Sequence, residues 1–136
     1  MELSERGVFM DMNAILNMEP VMLLKWLSNE FSVDIPKEIV SVEDMDRAAK
    51  TLLQLSTQYS YLQTLLSYAK VATREAKRTG DKQYYEDMVD RKEIIQNKVD
   101  SIKQNYAAVS RSVTIRIENN QELRMTASGY IKGEST

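Results

Sequence analysis

The sequence contains no cysteine and no histidine. Thiolate and imidazole metal sites are therefore excluded, as are nucleophile pairs of the Ser-His and Cys-His types. The four glycines are too widely spaced to form a phosphate-binding loop. Carboxylate or lysine chemistry remains, and no spacing of residues indicates either. We therefore expect a protein that is not an enzyme and that holds neither a cofactor nor a metal.

Long apolar runs are also missing. No segment approaches the roughly 20 apolar residues that cross a bilayer. The first residues, MELSERGVF, are acidic where a signal peptide would be basic. These features predict a cytoplasmic protein with no membrane partner. The length of 136 residues predicts a single domain, 1–136.

The net charge of −2 is unevenly distributed. Residues 1–46 hold ten acidic and three basic side chains, whereas residues 47–136 hold ten acidic and fifteen basic ones. An acidic third joined to a basic remainder is consistent with self-association or with an anionic partner. Charges that only solvate a face are the alternative.

The segment 10–31 predicts short N-terminal helices. Asp11 suits an N-cap, and Pro20 suits the first position of a second helix because its missing N–H has no bond to make there. From Pro20 to Phe31 the sequence is apolar over most of a helical circumference. Such a helix is buried on several sides, and another subunit can supply part of that burial.

The strongest pattern predicts an all-α fold built on a long antiparallel hairpin, with helices at about 42–78 and 82–118 in the segment 41–118. Ser41 and Asp44 resemble a capping box, in which Asp44 replaces the usual Glu or Gln. Between the two helices, a glycine at position 80 can adopt the left-handed conformation that ends a helix.

Each predicted helix carries an apolar ladder at alternating steps of three and four residues. One charged residue, Lys92, interrupts the second ladder and can extend its amine into solvent. The ladders are Met45, Ala48, Leu52, Leu55, Tyr59, Leu62, Leu66, Ala69, Thr73 and Ala76, followed by Tyr85, Met88, Lys92, Ile95, Val99, Ile102, Tyr106, Val109 and Val113.

The segment 113–125 is ambiguous. Its first part, VTIRI, alternates like a strand, and the asparagine pair beyond it can form the turn of a β-hairpin. The same residues also continue the helical ladder, and helix to about Glu118 is the favoured interpretation. Residues 119–136 are then expected to be a tail.

The two ladders carry more apolar surface than one helix pair can bury, and isolated pairs are marginally stable. We therefore predict homo-oligomerisation into a helical bundle. The alternative is a three- or four-helix monomer in which residues 12–31 cover the exposed side. The residues predicted to contact another subunit or a partner protein are Leu24, Trp26, Leu27, Phe31, Leu65 and Tyr68.

Basic side chains crowd the predicted hairpin tip, in the stretch AKVATREAKRTGDK, and tyrosines follow directly. Basic groups neutralise phosphates and aromatic rings stack on unpaired bases, so this composition predicts a site for single-stranded nucleic acid. A purely structural role is the alternative, because cations near a helix C-terminus complement its dipole. The candidate nucleic-acid-binding residues are Lys70, Arg74, Lys77, Arg78, Lys82 and Tyr84.

The stretches YSYLQTLLSYAKVATREAKRTGDK and YYEDMVDRKEIIQNKVDSIKQNYAAVSRSVTIRIEN resemble small helical proteins encoded in the replication and recombination regions of tailed phages. Their layout is similar to that of UvsY-type recombination mediators. The resemblance implies an assembly of several copies that binds single-stranded DNA and helps to load a recombinase in the cytoplasm of a host bacterium. It covers under half of the chain and contains no catalytic motif, so it transfers no individual residue role.

The favoured function is a non-catalytic, oligomeric accessory protein of phage DNA replication or recombination. Its expected partners are a second copy of itself, single-stranded DNA, and a recombinase or another protein. One alternative is a phage-encoded inhibitor or adaptor that engages a host defence protein through its helical surfaces. A minor virion or assembly protein is the other.

Overall fold

This computed structural model describes residues 11–135, with side chains described to Met125. Four helices lie within these residues. In chain order they are α1 (Met12–Leu16), α2 (Pro20–Glu30), α3 (Val42–Thr79) and α4 (Lys82–Ser135), and no strand occurs among these residues. The prediction of an all-α fold with a long helical hairpin is confirmed, because α3 and α4 pack against each other along most of α3.

The start of α3 is fixed by the predicted capping box. The Ser41 hydroxyl accepts the Asp44 N–H at 3.1 Å, and Asp44 Oδ2 accepts the N–H groups of Val40 at 3.0 Å and Ser41 at 3.1 Å. These backbone hydrogen bonds lower the pKa of Asp44. The cap therefore satisfies amides that have no partner inside the helix.

The hairpin turn is fixed at Gly80 and Asp81. Gly80 ends α3 with φ 78°, in the left-handed region that glycine adopts without a steric penalty. Asp81 Oδ1 then accepts the N–H of Tyr84 at 3.1 Å and caps the first turn of α4. Reversal of the chain therefore takes only two residues, which brings the two ladders face to face.

The interior of the hairpin consists of the two predicted ladders. Their most buried large members are Leu55, Leu62, Met88, Ile95, Val99, Ile102 and Val109. Leu65 and Tyr61 are also buried, although they lie beside the ladder of α3 rather than in it. The core is therefore wider than one helix seam on that side.

The N-terminal segment covers this wider side, with α1 packed against α3 and α2 packed mainly against α4. Leu23 and Leu27 of α2 are buried against the hairpin. Phe31, directly after α2, stacks on Tyr61 with ring centroids 5.8 Å apart and an interplanar angle of 17°. Trp26 contacts Phe31 edge-on at 5.5 Å. The N-terminal helices thus form a third layer on one side of the hairpin.

A buried arginine holds these N-terminal helices to α4. Arg91 is 7% exposed, and its Nε donates to the Met18 carbonyl oxygen at 2.7 Å. Its Nη1 also donates to Met88 Sδ at 3.1 Å. Because a buried charge needs hydrogen-bond partners, this contact fixes the connection between α1 and α2 to one place on α4.

The predicted end of the second hairpin helix at Glu118 is wrong, because α4 continues to Ser135. The β-hairpin over 113–125 is likewise absent, and helix replaces the predicted tail over 119–135, whereas Thr136 lies outside the described residues. No proline stops the helix in this segment. Asparagines such as Asn119 and Asn120 are tolerated inside a helix at a cost of only about 0.7 kcal/mol each.

Burial raises the pKa of Tyr61 to about 12, which predicts alkaline destabilisation. Below the ordinary value of 10.0 the phenol is protonated in both states, and its full contribution to stability is present. Above it the unfolded chain ionises first, so stability falls by about 2–3 kcal/mol as the pH rises to the folded value.

We expect Tyr61→Phe to remove this loss, as measured by the free energy of unfolding in urea at about pH 8 and about pH 12. The control is Tyr68→Phe, because Tyr68 is half exposed. An unchanged pH dependence in Tyr61→Phe would contradict the prediction.

Candidate nucleic-acid interface

One groove near the hairpin tip is lined by basic side chains from both long helices. It encloses about 360 Å³. Three of its cations come from α3 at steps of four and three residues, which places them on one side of that helix. We call it the cationic groove, and its lining residues are Lys70, Thr73, Arg74, Lys77, Tyr85 and Lys92.

Thr73 lies at the floor of the cationic groove, and its hydroxyl is already hydrogen-bonded within α3. Thr73 is the one polar member of the α3 ladder, and its Oγ1 donates to the Ala69 carbonyl oxygen at 2.7 Å. Tyr85 and Lys92 are partly buried on the opposite wall. The exposed ends of the side chains are therefore basic, whereas the base of the groove is close to neutral.

Acidic residues near the tip make contacts elsewhere. Glu75 Oε1 accepts from Arg78 Nη1 at 3.1 Å, and Asp81 caps α4. Across residues 11–125, none of the four cations of the cationic groove forms an ion pair. Their charge therefore remains available to an anion.

The structure brings together three of the six residues predicted to bind nucleic acid, which are Lys70, Arg74 and Lys77. Arg78 lies outside the cationic groove and is paired with Glu75. The other two predicted residues, Lys82 and Tyr84, are exposed at the start of α4 and do not line the groove.

Sequence reasoning did not assign Lys92 to this site. Lys92 is the charged interruption of the α4 ladder, and that interruption was the available signal. A lysine at a ladder position lies beside the partner helix, so its amine emerges at the edge of the hairpin seam. In this fold that edge is the cationic groove.

A second groove lies farther from the tip on the same side of the hairpin. It encloses about 310 Å³, and Tyr59 Oη accepts from Gln63 Nε2 at 2.6 Å beside it. We call it the tyrosine groove, and its lining residues are Ser56, Tyr59, Ile102, Lys103 and Tyr106.

The two grooves occupy equivalent positions along the helices. Tyr59 and Thr73 are two heptads apart on α3, as are Lys92 and Tyr106 on α4. Residues two heptads apart lie on the same side of a packed helix, separated by about 21 Å. This side of the hairpin is therefore basic near the tip and aromatic towards its middle.

The six residues predicted to form an interface are divided by the structure. Leu27, Phe31 and Leu65 are buried within the chain's own core, so a partner cannot reach them in this conformation. Trp26 is half-buried. Leu24 and Tyr68 are 53% and 50% exposed, and they remain candidates for contact with another protein.

No family model matches this chain, and neither a curated protein nor a solved structure is similar to it. Over the described residues, none of the helices has the length and apolar content of a membrane span. Acidic side chains do not converge into a group that could hold a metal ion within the same residues. The chemistry that the described grooves offer is binding of anions and of flat rings.

Proposed function

We propose that this protein is a non-catalytic, oligomeric accessory protein that binds single-stranded nucleic acid in the cationic groove. The observation that carries the proposal is the set of four cations that α3 and α4 present around one groove, none of which has an ion-pair partner among residues 11–125. Phosphates compete well for such a site because each contact releases condensed counterions.

The tyrosine groove favours a single strand over a duplex. Tyr59 and Tyr106 can stack on bases only where the bases are not already paired, and stacking contributes about 1–3 kcal/mol per base. Lys103 adds a further cation beside the rings. A strand that lies along this side of the hairpin meets phosphate-binding groups first and stacking groups about 21 Å farther on.

Phage DNA replication or recombination is the process in which we place this activity, with a recombinase as a candidate protein partner. The proposal rests on the resemblance of the predicted helical layout to that of recombination mediators and on the basic and aromatic side chains of the two grooves. A host bacterial cytoplasm is the corresponding location.

The test is fluorescence anisotropy of a labelled deoxythymidine oligonucleotide at about 50 mM and about 200 mM salt, with a duplex of equal length as competitor. Four phosphate contacts predict a slope of log affinity against log salt of about −2.8, or about a 50-fold loss between these concentrations. Failure to bind at the lower salt would contradict the proposal. A duplex that competes as well as the single strand would contradict the role of the tyrosine groove.

A second candidate is an inhibitor or adaptor that binds a host protein, and the exposed side of α2 favours it. Val21, Met22 and Leu24 are each more than half exposed, and they form an apolar patch on the side of α2 that does not face the core. Binding through this patch would respond little to salt, because apolar contacts release no counterions. A salt-insensitive complex with a protein partner, formed without DNA, would support this candidate over the first.

A minor virion or assembly protein is a further alternative that the same measurement separates from DNA binding.

A further inference from the structure

Two glutamine side chains lie between the cationic groove and the tyrosine groove, one on each long helix. On α3, Gln63 follows Tyr59 of the tyrosine groove by four residues and precedes Lys70 of the cationic groove by seven. Steps of four and seven residues keep side chains on one side of a helix. Gln63 therefore lies on the grooved side of the hairpin, about 6 Å from Tyr59 and about 10 Å from Lys70 along the helix axis.

Gln96 has the same place on α4. It follows Lys92 of the cationic groove by four residues and precedes Lys103 of the tyrosine groove by seven. The same helical geometry therefore puts Gln96 on the grooved side, between the residues that α4 gives to the two grooves.

The antiparallel register brings the two glutamines to nearly the same height on opposite walls of the hairpin seam. That register is marked by Thr73 Oγ1, which lies 3.5 Å from the Met88 carbonyl oxygen across the seam. Buried ladder residues such as Leu66 close the seam beneath this side. We call the surface that runs from the cationic groove, past Gln63 and Gln96, to the tyrosine groove the track.

Both glutamine amides are held in place and can still bond to a ligand. Gln63 Nε2 donates to Tyr59 Oη at 2.6 Å, and Gln96 Nε2 donates to Asp100 Oδ1 at 3.0 Å. Both side chains are also partly buried. Each of these bonds uses one N–H, whereas a primary amide carries a second N–H and an acceptor oxygen. Such groups pair with the hydrogen-bonding edges of unstacked bases.

Carboxylates are absent from the wall that α3 gives to the track. Residues 47–74 contain neither Asp nor Glu. On α4, Asp90 and Glu93 line a separate groove beside α2, and Asp100 accepts its bond from Gln96. A strand that follows the track beside α3 therefore meets cations, amides and rings, none of which repels its phosphates.

The track has the length of a short single strand. From Lys77 to Ser56 it extends for about 32 Å. This distance corresponds to about nine nucleotides at the stacked spacing of about 3.4 Å, within the range of about 4–16 that one single-strand module covers. A strand that reaches both grooves loses its translational freedom only once, so its two contacts reinforce each other.

We infer that one nucleic-acid strand occupies both grooves at once, and that Gln63 and Gln96 contact its bases between the phosphate-binding and the stacking groups. The inference rests on the proposed function, and it adds two residues and a minimum strand length to that site. A strand too short to span the two grooves gains from one of them only.

Joint occupancy is tested with deoxythymidine strands of about 3 to about 15 residues, by fluorescence anisotropy at about 50 mM salt. We expect affinity to rise at least about 100-fold up to about nine residues. It should then rise only slowly, as more positions for the same contact become available. In Tyr59→Leu/Tyr106→Leu, which keeps apolar side chains at both positions, the rise should be at least about 10-fold smaller. A rise without this change of slope, or an equal rise in the variant, would overturn joint occupancy.

The glutamine contacts are tested with two strands of about 12 residues, one of deoxythymidine and one abasic throughout. We expect Gln63→Leu/Gln96→Leu to weaken binding of the deoxythymidine strand about 5-fold and to leave binding of the abasic strand unchanged. The matched control is Gln54→Leu/Gln104→Leu, whose exposed glutamines line neither groove. Equal losses for the two strands, no loss for either, or the same loss in the control would overturn the contacts.

A further variant separates contact by Gln63 from support of the neighbouring ring. Tyr59→Phe keeps the ring and removes the hydroxyl to which Gln63 Nε2 donates. We expect Gln63→Leu to weaken binding of the deoxythymidine strand about twofold in the Tyr59→Phe chain as well. If Gln63 only orients Tyr59, its replacement should cost nothing further in that chain, and this result would overturn its contact with the bases.

Failure of this inference and failure of the proposed function have different signatures. A chain that binds no strand at about 50 mM salt contradicts the proposed function. A chain that binds through the cationic groove, but is insensitive to the glutamine and tyrosine replacements, contradicts the continuous track alone.

Discussion

Replacing Lys70, Arg74, Lys77 and Lys92 together with alanine should abolish binding of a single-stranded oligonucleotide. The variant removes every cation of the cationic groove and leaves the core ladder intact except at the partly exposed Lys92. With four fewer phosphate contacts, the slope of log affinity against log salt should fall from about −2.8 towards zero. Fluorescence anisotropy over a salt series measures both quantities.

The control removes the same charge from other parts of the surface. Lys25, Lys37, Lys50 and Arg111 are exposed and lie outside both grooves. Their combined replacement with alanine changes net charge by the same amount, so it should weaken binding only through the long-range field. Equal loss of affinity in the two quadruple variants would show that net charge matters and that the groove does not.

Leu27→Ala should cost about 2–5 kcal/mol of unfolding free energy, since it empties a buried leucine site between α2 and the hairpin. Leu27 is 1% exposed, and the covering layer depends on it together with Leu23 and Phe31. Urea unfolding followed by circular dichroism at about 222 nm, a helix signal, measures the change and also reports whether the transition remains cooperative.

Leu24→Ala is the matched control on the same helix. Leu24 is 53% exposed, so its truncation should change the unfolding free energy by no more than about 0.5 kcal/mol. If Leu27 were instead an intersubunit contact, its truncation would alter the mass of the particle at high concentration and the stability would depend on protein concentration. A small, concentration-dependent effect would contradict the packing described here.

Local signals in the sequence predicted the element boundaries that depend on a single backbone requirement. Three such signals occupy the predicted positions, namely the capping box of Ser41 and Asp44, Pro20 at the start of α2 and Gly80 at the end of α3. Each meets a requirement of a helix end by its own chemistry. The end of α4 has no such signal. Its VTIRI stretch suits a strand or a helix equally, and continuation of α4 decides between them.

The partner of an apolar residue is harder to predict than its burial. The apolar pattern indicates that Phe31 and Leu65 need to be covered, but periodicity cannot distinguish a second subunit from the chain's own N-terminal helices. Here a segment distant in sequence supplies the cover, through the ring stack on Tyr61. The candidate site was only partly predictable for a similar reason, because Lys92 joins it across the hairpin seam.

Placing the cations of one site on two helices links recognition to conformational equilibrium. Neither α3 nor α4 alone carries the complete set, so an anion that needs all four has full affinity only for the closed hairpin. Such an anion stabilises that state by mass action, by about 2.7 kcal/mol at a concentration 100 times its dissociation constant. A bound polyanion would thus hold α3 and α4 together, and the melting temperature of the protein would rise with the concentration of the polyanion.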